Sequence, residues 1–292
     1  FLLLAVIWGC SFAFIKIGLQ ALTVFQVASG RLVLGAVTLL AISAASRTRL
    51  PRRLSTWGHL AVVGALSNAI PFTLFAYGEQ HVTSVLAGLI NAATPLATLA
   101  VILAAFPEER PTRERVAGML LGFLGVVVLT GVWEGFSRAE GLGVLALVGA
   151  ICCYGVTFPY ARRYLMPTGE GPVALATGQV LLGAALTLPM LAWTGLELVG
   201  PLTPAVVWSM IALGALGSGV AYVLNFRVIQ AAGSSVASTV TYLTPVVAVL
   251  LGVLVLHERL AWYEPVGGLV VVLGIALSQG RLRRRRPVVV PA

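Results

Sequence analysis

Ten runs of mostly apolar residues follow one another along the chain, at about 1–20, 24–46, 57–79, 82–105, 114–133, 141–162, 171–194, 203–228, 232–256 and 262–280. No polar stretch between them is long enough to fold by itself. A helix needs ~20 such residues to cross the hydrocarbon of a bilayer. Several breaks carry Pro, Gly or charge: RTRLPRR at 47–53, PEERPTRER at 107–115, PTGEGP at 167–172 and GPLTP at 200–204. Only 10% of the residues are charged and 59% are hydrophobic, whereas a soluble domain carries roughly a quarter charged residues. The expectation is an all-α integral membrane protein with ten transmembrane helices. FLLLAVIWG at the start offers no convincing small-residue cleavage site before Lys16, so it reads as the first spanning helix and not as a signal-peptide core.

The net charge of +9 collects between the runs, which assigns it to a membrane topology and not to nucleic acid. With a cytoplasmic N-terminus, the inner loops and tail hold Arg47, Arg49, Arg52, Arg53, Arg110, Arg113, Arg115, Arg162, Arg163, Arg281, Arg283, Arg284, Arg285 and Arg286, which is 14 of the 19 basic residues. The outer loops hold only Arg138 and Arg259. That asymmetry places both termini in the cytoplasm of a multi-pass plasma (bacterial inner) membrane protein. Cys10, Cys152 and Cys153 all lie in apolar runs without ligand spacing and read as small packing residues.

Proline removes a backbone donor and clashes with the preceding turn, so it is costly inside a helix. Yet Thr94-Pro95 in NAATPL (91–96) and Thr244-Pro245 in TYLTPV (241–246) both stand inside apolar runs, 150 positions apart (244 − 94). At the same offset Gln80 meets Gln230, Ser84 meets Ser234, Ala87 meets Ala237, Glu108 meets Glu258, Glu114 meets Glu264 and Gly118 meets Gly268. Nearer the N-terminus, at a slightly shorter offset, Trp8-Gly9 resembles Tyr154-Gly155 and Gly30-Arg31 resembles Gly178-Gln179. The unit is about five helices. Five is odd, so the second copy crosses with opposite polarity, a recurrent plan of secondary transporters. The expected halves are 1–135 and 136–292, the second with a basic cytoplasmic tail.

The WGxSF pattern at 8–12, the doubled Thr-Pro, the Glu after it and the glycine-rich helix that follows together resemble the drug/metabolite transporter superfamily, in particular its ten-helix EamA-type exporters. Within that group the chain is similar to YddG-type exporters of aromatic and other apolar amino acids. The resemblance implies a central cavity lined by helices one, three, four, six, eight and nine, worked by alternating access. After Tyr77 the chain departs from that pattern, with Gly78-Glu79-Gln80-His81 where apolar residues are expected.

Pro95 and Pro245 free the carbonyls of Asn91 and Thr241, which need partners or a cavity to face. Asn91, Thr94, Thr241, Tyr242 and Thr244 supply polar groups at that level, and the two turns are expected to act as hinges that bound the substrate site. Asn68, Phe72 and Tyr77 on helix three are matched by Tyr222 and Asn225 on helix eight. Trp8, Phe12, Tyr154 and Phe158 add aromatic surface, which suits an apolar or aromatic side chain. Glu79 and His81 fall at the outer mouth, to bind an amino group, sense pH, or serve as ordinary loop residues. Arg31 could attract a carboxylate or snorkel to the interface. Glu108 and Glu258 read as caps at helix N-termini. Gly118, Gly122 and Gly125 on helix five and Gly267, Gly268 and Gly274 on helix ten mark close-packing faces, internal or dimeric.

Nine of the ten acids sit in or beside loops, and Glu79 alone is near a membrane position. That excludes a relay of buried carboxylates and favours facilitated or weakly proton-coupled export. An intramembrane enzyme is the main rival, but HExxH, GxSxG and a spanning carboxylate pair are absent. An ion channel would need a ring of repeated charges or carbonyls. The expected partners are a small-molecule substrate, an amino acid or similar metabolite, and the lipid bilayer. Neither cofactor nor metal is expected, and the protein would act as a monomer or homodimer.

Overall fold

The computed structural model describes residues 2–105, 113–135, 137–232 and 239–278, and every element among them is helical. In chain order these are α1 (Leu2–Gly18), α2 (Val24–Ala45), α3 (Leu54–Gly64), α4 (Ile70–His81), α5 (Ser84–Asn91), α6 (Thr94–Ala105), α7 (Arg113–Leu129), α8 (Arg138–Tyr164), α9 (Pro172–Thr194), α10 (Pro204–Ala212), α11 (Ala221–Ala232), α12 (Thr244–Leu254) and α13 (Tyr263–Ser278). Six helical stretches are long and apolar enough to cross a membrane: 24–45, 54–81, 84–101, 138–168, 172–194 and 204–231. Shorter apolar helices cover 2–18, 116–129, 244–254 and 263–274. Large apolar side chains such as Phe123, Leu145, Trp208 and Leu269 stand outward, as a surface bathed in lipid requires.

Local sequence sets the ends. Thr23 and Gln26 form a capping box at the start of α2, and Ser137 and Glu140 form another at α8, satisfying donors that helix N-termini leave free. Thr83 and Thr203 cap α5 and α10 through their hydroxyls.

Two stretches change winding midway. Ala65–Ala69 joins α3 to α4, and Leu213–Val220 joins α10 to α11, both as π-helix. In the first, Pro71 has no N–H to offer the Ser67 carbonyl four residues back, and the Tyr222 hydroxyl donates to that oxygen instead, at 2.8 Å. In the second, the Ala221 N–H reaches back to the Leu216 carbonyl. The Gly217 carbonyl then accepts from the Trp8 indole at 3.3 Å. Single π turns inside helices recur at functional sites.

The two parts of the chain interlock. α2 packs on α9 and on the 213–220 turn, α4 on α8, α8 on α6, and α1 on α12. The glycine faces of α7 and α13 meet each other, so both are consumed by internal packing. A Cβ on Gly125 would lie 2.5 Å from the Val271 backbone nitrogen, and backbone cannot swing aside as a side chain can. Gly125→Val should therefore push α7 and α13 apart, with a loss of about 1–3 kcal/mol typical of overpacking. The measurement is the thermal unfolding midpoint in detergent, and an unchanged midpoint would contradict the packing described.

Candidate functional site

At Thr94-Pro95 the helix does not merely kink. α5 ends at Asn91, and α6 restarts at Thr94, so Pro95 occupies a first turn where its missing N–H is harmless. The Thr94 hydroxyl donates to the stranded Asn91 carbonyl at 2.7 Å. The second site follows the same rule. A 3-10 turn at Thr239–Tyr242 precedes α12, Pro245 sits in its first turn, and the Thr244 hydroxyl donates to the Thr241 carbonyl at 3.1 Å. Each Thr thus serves the carbonyl that its own proline frees.

These breaks border a central cavity of ≈ 90 Å³, several times the ~10–15 Å³ that one water needs. Of the expected site residues, Trp8, Phe12, Phe72, Asn91, Thr94, Tyr154, Phe158, Tyr222, Asn225 and Thr241 line it. Aromatic rings build its wall: Phe12 meets Phe75 edge-on at 5.7 Å, Phe75 stacks on Tyr154 at 6.0 Å, and Trp8 meets Tyr222 edge-on at 5.9 Å. Lining residues Ala161 and Ile229 lie within a turn of the ends of α8 and α11, so the cavity reaches toward the end of the bundle that carries the 165–171 loop.

The remaining expected residues lie elsewhere. Asn68 is buried just behind the wall, its Oδ1 accepting from Gln179 Nε2 at 2.7 Å while its Nδ2 meets no acceptor. Thr244 is buried at its own turn. Tyr77 packs edge-on to His81 at 4.9 Å, and His81 lines a separate cavity of ≈ 450 Å³ together with Lys16, Glu140, Arg259 and Glu264. Of Tyr242 the structure describes the backbone turn, and Glu108 and the basic tail lie outside the described residues.

Glu79 faces neither cavity. Its side chain is fully buried, and both carboxylate oxygens lack a hydrogen-bond donor. Beside it, the Lys16 ammonium donates to the Glu79 and Val82 backbone carbonyls at 2.6 and 2.8 Å, closing the C-terminal end of α4 as a cation should. Glu258 does cap a helix, but a distant one. Its carboxylate accepts from the Ser84 and Val85 amides at 2.9 and 3.0 Å and from the Ser84 hydroxyl at 2.9 Å, all at the N-terminus of α5. The helix that follows it is capped instead by Glu264, whose carboxylate accepts from the Ala261 amide at 2.8 Å.

α2 and α9 also reach the cavity, through Arg31 and Gln179. Arg31 is 3% exposed. Its Nε donates to Ser218 Oγ at 3.0 Å, and its guanidinium lies 3.6 Å over the centre of the Phe72 ring. The signal for this pair was present in the weak echo of Gly30-Arg31 at Gly178-Gln179. Their partners echo too, since Ser218 stands 150 positions after Asn68 (218 − 68).

An all-helical bundle, apolar outside and hollow at its centre, with helices broken at the cavity wall, has the build of a membrane transporter. The chain belongs to the EamA-like transporter family, whose sequence pattern matches residues 1–131 and 141–279. Similar proteins include an uncharacterized transporter of Archaeoglobus fulgidus, 28% identical over 282 residues and covering 94% of each chain. Another is the uncharacterized inner membrane transporter YedA of Escherichia coli K12, 28% identical over 294 residues, covering 99% of this chain and 92% of the relative. A crystal structure superposes with a TM-score of 0.67 at 20% identity, over 94% of this chain and 98% of that one, which shows a shared fold. The chain is a transporter and not an enzyme.

Proposed function

We propose that the protein exports small metabolites, foremost aromatic and other apolar amino acids, by alternating access around the central cavity. The observation that carries this reading is the aromatic wall, contributed by α1, α4, α8 and α11 and interrupted by the polar groups of two broken helices. Apolar rings take up an apolar side chain, while a few fixed polar groups orient the rest.

A count of ten spans is supported by the six long helices together with the four shorter apolar ones. The division into inverted five-helix halves, 1–135 and 136–292, is supported by two successive family matches. It is supported also by cavity-lining residues at matching positions, such as Phe12 with Phe158 and Asn91 with Thr241. The charge asymmetry supports cytoplasmic termini, and the name of the YedA relative supports an inner membrane. The protein acts as a monomer or homodimer.

The test is flux of a radiolabelled amino-acid panel through proteoliposomes, alongside conductance recording. Aromatic and apolar amino acids should cross without ionic current; failure of every one to cross would overturn the reading. In the same vesicles an imposed proton gradient should drive little accumulation, and Glu79→Gln should abolish what there is, because among the described spans Glu79 is the carboxylate that is both buried and without a hydrogen-bond donor. Strong uphill transport that survives Glu79→Gln would overturn that assignment of coupling.

A further inference from the structure

We propose that Arg31 is the anchor for a carboxylate on the transported molecule, so that the cavity selects apolar α-amino acids and related small carboxylates and rejects amines and lipophilic cations. This deepens the amino-acid reading above and rests on the central cavity being the transport site.

An arginine does not lose its proton in proteins, so the cavity wall carries a fixed positive charge. Among the described residues Arg31 has a single hydrogen bond, through the inner Nε to Ser218. The two outer nitrogens donate to no acceptor among the described residues, yet they are not among the sealed, unpaired atoms. They lie on the cavity surface, which Arg31 lines. Among the described residues no carboxylate pairs with Arg31, whose hydrogen-bond partner is the Ser218 hydroxyl. Phe72 covers the face of the guanidinium and holds its plane. What remains free is the donor edge, the part that pairs with both oxygens of a carboxylate at once.

A purely structural role would look different. A buried arginine retained for packing spends its outer nitrogens on carbonyls or carboxylates, because leaving donors unmade is unfavourable. The other half of the chain shows what packing needs here. Gln179, the counterpart of Arg31, lines the same cavity and spends its amide nitrogen on Asn68, the counterpart of Ser218. A neutral side chain fills that slot. The charge of Arg31 is additional, and it faces inward. For the ammonium end of an amino acid, the Asn91 and Thr241 turns supply carbonyl oxygens at the same cavity, where helix ends favour a cation.

The test is competition binding on purified full-length wild-type protein, using phenylalanine, 3-phenylpropanoate and phenethylamine as probes. Phenylalanine and 3-phenylpropanoate should bind within a few-fold of each other. Phenethylamine should bind about 10- to 100-fold more weakly, the range of a hydrogen bond to a charged group. In Arg31→Gln this discrimination should collapse, and in Arg31→Lys it should be partly kept. Should Arg31→Gln fail to fold, the wild-type series and Arg31→Lys decide the matter. If phenethylamine binds wild type as tightly as phenylalanine does, the inference is overturned while the amino-acid reading stands. If no probe binds, both are overturned.

Discussion

Glu258→Ala is expected to destabilise the protein by about 1–3 kcal/mol, the range for losing a helix cap and leaving neutral donors unsatisfied, with a matching fall in the unfolding midpoint. One carboxylate serves three donors at the start of α5: two backbone amides and the Ser84 hydroxyl. Thr83 already serves the Leu86 amide and cannot replace it. Ser84 is fully buried, so water does not take over either. The turn that brings Glu258 back over α5 is built by His257, which holds a left-handed conformation (φ 54°), an uncommon state for a residue with a side chain. Glu258→Gln keeps one acceptor and turns an NH2 toward donors, so it should fall between wild type and alanine. Equal midpoints for all three would mean that the cap contributes nothing. Because the contact links residues 174 positions apart, its loss should also loosen the closed end of the bundle where Lys16 grips the Glu79 and Val82 carbonyls.

The residues that could be placed from sequence are those whose chemistry is local. Pro95 and Pro245 dictate a missing donor wherever they stand, so the stranded carbonyls of Asn91 and Thr241 were legible before any coordinates. The long apolar runs were legible for the same reason: each records a solvent, not a partner. What was not legible was direction. A helix in a bilayer is apolar on its lipid face and on its core face alike, so the periodicity that marks the buried side of a soluble helix is absent. Arg31 could thus be read as a snorkelling residue or a binding residue, and only the packing of α2 against α9 and the 213–220 turn points it inward. Glu79 shows the converse. Its position near a helix end suggests a substrate-facing mouth, but one residue turns a helix by about 100°, enough to seal Glu79 away from both cavities while His81 lines one of them. The cap made by Glu258 was foreseen, but its target was not, since sequence proximity favours the next helix and the structure chooses α5. The glycines of α7 and α13 likewise announced close packing without naming the surface they meet.

Thr94→Val combined with Thr244→Val is expected to cut transport about tenfold or more while leaving most of the protein folded. Valine keeps the shape of threonine and removes only the hydroxyl. Each hydroxyl donates to the carbonyl freed by the proline that follows it, and each Thr is essentially unexposed. A stranded carbonyl in a dry interior would cost about 1–3 kcal/mol. These two belong to Asn91 and Thr241, which border the cavity, so water can reach them and soften the penalty to stability. The geometry of the breaks is less forgiving. Removing the hydroxyl takes away the hydrogen bond that aims the carbonyl, and a change of 1.4 kcal/mol in the favoured geometry already amounts to tenfold. The single variants should each show part of the loss. Thr94→Ser and Thr244→Ser, which keep the donor, should retain transport. Flux through proteoliposomes, normalised to folded protein, decides between two roles for the paired turns. If the double valine variant transports at the wild-type rate, the hydroxyls only let the helices break. If transport falls and serine restores it, the breaks are working parts of the site, aimed by the threonine hydroxyls.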